Sequence, residues 1–140
     1  MSDYQVQIDT EYLGNLHCTV RHSLSGQEFT TDAPLDNNGK GDYISPTDLV
    51  AAAIGSCIAT IMGIKAEANK IDIKGLKIRA IKEMVNEPFR RIGRLIIDIT
   101  FPHPLSDKDF AILSNVVKTC PVTRSLHPDV IIEHKFHFEE

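Results

Sequence analysis

The stretch from Ser45 to Lys65, SPTDLVAAAIGSCIATIMGIK, decides how the rest of the chain is read. Ser45 suits a helix N-cap, Pro46 the first helical position, and Asp48 the third position of a capping box. The 16 residues from Leu49 to Ile64 carry no charge and are apolar around the whole helical circumference. That falls short of the ~20 residues a bilayer span requires. Asp48 and Lys65 close the run, and four of its residues are alanine. The reading is therefore a long buried helix from Pro46 to about Asn69, with no membrane association expected. A helix that is apolar on every side must be covered on every side. A chain of 140 residues has little material left to wrap it. Ala52, Ala53, Gly55, Ser56, Ala59 and Gly63 would let another backbone approach closely, so a second subunit is expected to complete the cover.

Upstream of the helix, residues alternate in polarity over Tyr4 to Ile8, Leu16 to Arg21 and Gln27 to Thr31. With turn signals at Gly14-Asn15 and Ser25-Gly26, this reads as a three-stranded antiparallel meander. Asp32 to Tyr43, DAPLDNNGKGDY, has no apolar period and reads as a mobile loop and a plausible gate. Downstream, Leu76 to Met84 and Arg91 to Phe101 read as long strands. Ser106 caps a helix running to about Lys118, Pro121 starts a short one over Val122 to Leu126, and Val130 to Phe138 closes as a strand. The order βββ-α-ββ-αα-β is that of an α+β fold, with antiparallel sheets around the central helix in a single domain over residues 1–140.

Composition excludes several classes of function. Fifteen Lys plus Arg against 19 Asp plus Glu, a net charge of −4, provide no basic field for a polyanion, so nucleic acid is not an expected partner. The N-terminus lacks the basic stretch and apolar run of a secretory signal, so a cytoplasmic location is expected. In a reducing compartment three cysteines are not a disulfide scaffold; each is either a packed small hydrophobe or a reactive thiol.

Cys57 lies deep in the apolar helix, where the helix dipole gives little help to a thiolate, so its reactivity would require a cation from elsewhere. Arg21 is the only arginine upstream of that helix. Cys120 stands at the start of the short helix opened by Pro121, where unpaired N–H groups favour negative charge, with Arg124 one turn on. Cys18 is assigned to strand packing. No C-x-x-C or H-E-x-x-H spacing occurs, so neither a metal nor another cofactor is expected. Gly39-Lys40-Gly41 lacks the spacing of a phosphate-binding loop. A Cys–His hydrolase pairing Cys57 with His103 or His127 stays open as an alternative.

Taken together, Ser45 to Cys57, SPTDLVAAAIGSC, and Cys120 to Leu126, CPVTRSL, resemble the two cysteine motifs of the OsmC/Ohr family. The resemblance extends over nearly the whole chain. It implies an intertwined homodimer and a cysteine-based peroxidase acting on small organic hydroperoxides. Cys57 would be the peroxidatic thiol, Cys120 the resolving thiol, and Arg21 the candidate cation for the thiolate. An external dithiol, lipoyl-type or a low-molecular-weight thiol, would regenerate the pair. The family glutamate that holds the arginine, ten residues before the peroxidatic cysteine, is Thr47 here. Asp48 is adjacent but about 100° further round the helix, and is committed to capping. The alternative is a non-catalytic or redox-sensing member that binds a small apolar or thiol ligand at the dimer interface.

Overall fold

A computed structural model describes residues 3–140. The chain divides into two compact units, one comprising the residues up to Leu49 and the other Val50–Glu140. It is an α+β fold with two three-stranded sheets and one long helix.

In the first unit, β1 (Ile8–Gly14), β2 (His17–His22) and β3 (Glu28–Asp32) form an antiparallel meander in the order β1-β2-β3. The first strand lies later than the Tyr4–Ile8 alternation predicts, because β2 ends at His22, the ladder partner of Ile8. Asn15 and Leu16, with φ of 55° and 65°, make the two-residue turn between β1 and β2, a conformation that matches the twist of a hairpin. The segment after β3 holds a single 3-10 turn, Leu35–Asn37, and rejoins the sheet through a parallel bridge between Thr31 and Ile44.

Helix α1 spans Pro46–Ala68, within one residue of its sequence reading. Its start is a reciprocal capping box: the Asp48 N–H donates to Ser45 Oγ at 3.1 Å, and the Ser45 N–H donates to Asp48 Oδ2 at 2.9 Å. Only one stripe is buried, at Ala51, Ile54, Ile58, Met62 and Ala66, the spacing of a single helix face. Ala52, Ala53, Ser56, Thr60 and Ile64 are exposed although the helix is apolar all round. By length and composition alone α1 could cross a membrane.

In the second unit, β4 (Lys77–Val85), β5 (Arg91–Phe101) and β6 (Ile131–Phe138) form a sheet with β5 in the middle. Every second residue of β5 from Gly93 to Phe101 is buried, so one face of the strand meets the α1 stripe in a common core. Leu95, Ile97, Ile99, Ile54 and Ile58 are fully buried, each stabilising by about 1.5–3 kcal/mol relative to exposure. Phe101, Phe110, Phe136 and Phe138 close one end of this core through stacked and edge-on contacts.

The sequence reading makes the sheets antiparallel throughout, whereas β5 and β6 pair in parallel, Leu95 with Ile132 and Phe101 with Phe138. The reason is the connection between them. α2 (Asp107–Ser114), a 3-10 turn (Asn115–Thr119) and α3 (Pro121–Ser125) form a crossover long enough to return the chain to its starting end.

Candidate functional site

The second unit brings Cys57 and Cys120 together. Cys57 is half-buried between the core residues Ile54 and Ile58 of α1. Cys120 is fully buried at the junction of the 3-10 turn and α3. Its place there follows from sequence. Proline at 121 cannot continue the preceding turn but is pre-set for the first position of a helix, which leaves Cys120 as the N-cap. The Cys120 sulfur accepts the Thr123 N–H at 3.4 Å, the role a serine or aspartate oxygen usually fills.

The two thiol side chains interact directly, and their environments differ in sign. Burial pushes the Cys57 thiol up; the Val122 N–H draws it down only in part, and a charge on Cys120 raises it further. Burial also pushes Cys120 up, but there the Thr123 side chain, the Thr123 N–H, the Cys57 thiol and the Val122 N–H outweigh it, so its pKa falls below the ordinary thiol value. The Thr123 hydroxyl is buried with no hydrogen-bond partner of good geometry, and a Cys120 thiolate gives it one. Within this unit the first negative charge therefore belongs on Cys120. Cys57 needs a cation before it can carry charge at neutral pH.

Arg21 belongs to the other unit. It sits on β2 in register with Asp9 on one side and Glu28 on the other, and its Nε lies 3.6 Å from Glu28 Oε1. Thr47, at the position of the family glutamate, shares a 3.3 Å contact with Ser45 Oγ at the helix cap. The carboxylate beside Arg21 thus comes from the neighbouring strand. Glu28 was not singled out in the sequence, although the Ser25-Gly26 turn that fixes the β2–β3 register already sets residue 21 opposite residue 28. Val122 and Thr123 were likewise overlooked as donors, although they are the second and third helical positions after a capping Cys120, where free N–H groups converge.

The histidines of the hydrolase alternative are engaged elsewhere. His103 has one ring nitrogen 2.9 Å from the Pro104 carbonyl and the other 2.7 Å from the Asp72 carbonyl. His127 is exposed and takes the Asp129 N–H on its Nδ1. Cys18 is half-buried on β2, opposite Tyr12 and Thr31. Among the described residues one group of metal-ligating side chains converges, His17, Asp32 and Asp42 in the first unit.

The chain is similar to proteins of one family. The family described as OsmC-like protein matches residues 39–135. No curated protein matches the chain. A crystal structure from Psychrobacter arcticus, provisionally described as an osmotic stress induced and detoxification response protein, is 41% identical, covers 97% of this chain and 100% of its own, and superposes with a TM-score of 0.88. Two organic hydroperoxide resistance proteins share the fold at 14% identity. One, from Elizabethkingia anophelis, has a TM-score of 0.79 over 99% of each chain. The other, OhrB of Bacillus subtilis, has a TM-score of 0.72 over 96% of this chain and 99% of its own. From the family match and the 41% identity over nearly its full length, the chain belongs to the OsmC-like protein family.

Proposed function

We propose that the chain is a cytoplasmic, homodimeric thiol peroxidase for small organic hydroperoxides, with Cys57 as the peroxidatic and Cys120 as the resolving thiol. The observation that carries this reading is the direct interaction between the two cysteines, one half-buried and one fully buried. The Cys57 thiolate attacks the terminal peroxide oxygen, the O–O bond breaks, and the alkoxide leaves and takes up a proton as the alcohol. Cys57 becomes a sulfenic acid. Cys120 then attacks that sulfur, water leaves, and a Cys57–Cys120 disulfide forms. An external dithiol, lipoyl-type or of low molecular weight, reduces the disulfide by exchange and is itself oxidised.

Of the two pKa directions, the one at Cys120 suits its assigned role. The resolving step needs a nucleophilic thiolate at Cys120, and the donors around that sulfur favour it. The first step needs a cation at Cys57, and we assign it to Arg21, steadied by Glu28. The exposed apolar flank of α1 supports the homodimer, because a second copy would cover what the single chain leaves open. Replacing Cys57 by serine is expected to abolish peroxide consumption. Turnover unchanged in that variant would refute the assignment.

One observation favours a second reading. The upward push on Cys57 is what a sensor or ligand-binding member would tolerate and an enzyme would have to overcome. In that case the thiol pair would oxidise slowly and the dimer interface would hold a small apolar or thiol ligand.

A further inference from the structure

We propose that the first unit holds a divalent transition-metal site of the zinc type, formed by His17 of β2, Asp32 of β3 and Asp42 of the segment that follows. The three residues come together for separate reasons. His17 and Asp32 are direct partners across the β2–β3 ladder. Asp42 is brought back by the loop, which is folded tightly around Asp32: the Lys40 and Asp42 N–H groups both donate to Asp32 Oδ2, at 3.2 and 3.1 Å. The loop can take this path only with glycine at 39, where a Cβ would fall 1.6 Å from the Ala33 carbonyl oxygen, and it turns through Gly41 at a φ of +67°.

These contacts leave a specific vacancy of bonding. Asp32 is 2% exposed, the Lys40 and Asp42 N–H groups are on Oδ2, and Oδ1 is the oxygen turned to His17. His17 Nε2 is buried, has no hydrogen-bond partner, and lies 3.4 Å from Asp32 Oδ1 and 3.7 Å from Asp42 Oδ2. Those separations are longer than the ~2.7–3.2 Å of an N–H···O bond. They match the roughly 3.4 Å between neighbouring ligands set tetrahedrally at ~2.1 Å from a zinc ion. All three ligand atoms lie within 4.8 Å of one another. A dication between the three satisfies the unpartnered nitrogen and balances both carboxylate charges. Tyr43 packs edge-on against the His17 ring at 5.4 Å and holds its orientation. Asp42 is about half exposed, which leaves the outer side of the ion open to water. One imidazole and two carboxylates suit zinc and its neighbours better than a thiolate-seeking metal. Short sequence spacings cannot reveal this set, because its ligands are 15 and 10 residues apart.

The test is a Co²⁺ titration of the untagged, full-length protein, reduced with a phosphine, followed by displacement with Zn²⁺. One equivalent of cobalt is expected to give ligand-field bands without sulfur-to-cobalt charge transfer, and zinc to remove them. His17→Gln and Asp42→Asn should each weaken binding at least tenfold while leaving the far-ultraviolet circular dichroism unchanged. Asp32 is left intact because it organises the loop. No ligand-field band at excess cobalt, a band with sulfur charge transfer, or wild-type affinity in both variants would overturn the site.

Discussion

The Cys120 sulfur caps α3 by accepting the Thr123 N–H at 3.4 Å, and the same sulfur interacts with the Cys57 thiol. The pair is therefore asymmetric before any substrate arrives. The surroundings of the cysteine expected to resolve favour its thiolate, and those of the cysteine expected to attack peroxide do not. A resolving thiol stabilised as an N-cap is ready to react as soon as Cys57 becomes a sulfenic acid. The same asymmetry is why a cation is called for at Cys57.

Thr123 is the side chain that most favours charge on Cys120. Thr123→Val keeps the β-branched shape and the backbone N–H but removes the hydroxyl. A hydrogen bond to a charged group is worth about 1.5 kcal/mol or more, so disulfide formation from the sulfenic acid should slow about tenfold at neutral pH. The first step, measured as loss of peroxide in a single turnover, should be unaffected. Stopped-flow single-turnover kinetics with time-resolved alkylation separates the two.

Arg21 and Glu28 should act together. Arg21→Ala is expected to lower kcat/KM for an organic hydroperoxide and to move the alkylation profile of Cys57 to higher pH. Glu28→Gln should have a smaller effect in the same direction, within the ~1 kcal/mol of an exposed pair, or about fivefold. A Cys57 profile identical to wild type in Arg21→Ala would assign the cation to another residue.

His103 should make stability depend on pH. The Pro104 and Asp72 carbonyls face its two ring nitrogens, which raises its pKa because both bonds are made only by the protonated ring. A raised folded-state pKa contributes stability that is fully present below the unfolded value of about 6.5 and lost as pH rises through the folded one. His134 has the opposite sign. Burial lowers its pKa, so its contribution holds above that unfolded value and is lost as pH falls through the folded one. Denaturation midpoints across this range should lose the alkaline component in His103→Gln and the acidic one in His134→Gln.

The two sides of α1 should respond differently to substitution. Ile58 is fully buried against the β4–β5–β6 sheet, so Ile58→Ala is expected to cost about 2–5 kcal/mol of stability by leaving a cavity. Ile64 is 64% exposed in the single chain. Ile64→Glu should leave the fold intact and shift sedimentation from dimer toward monomer; a dimer that survives it would place the subunit contact elsewhere.

Much of this arrangement was legible in short-range pattern. The capping box at Ser45 and Asp48, the proline starts at 46 and 121, and the long alternation of β5 are local signals, and local backbone physics decided them. The pairing of Cys57 with Cys120 came from the resemblance of two motifs, since 62 residues of intervening chain give no geometric clue. Long-range register was not legible. The parallel pairing of β5 and β6 depends on how three short helical turns cross over. The loop from Asp32 to Tyr43 looked structureless because its composition is polar and glycine-rich. It is held instead by hydrogen bonds to one buried carboxylate, which no periodicity records.

The most direct test mixes the reduced protein with one equivalent of cumene hydroperoxide, quenches with an alkylating agent at increasing times, and maps the thiols by non-reducing mass spectrometry. The account predicts a Cys57–Cys120 disulfide within seconds, with Cys18 alkylated throughout. Free thiols at Cys57 and Cys120 persisting for many minutes would contradict it.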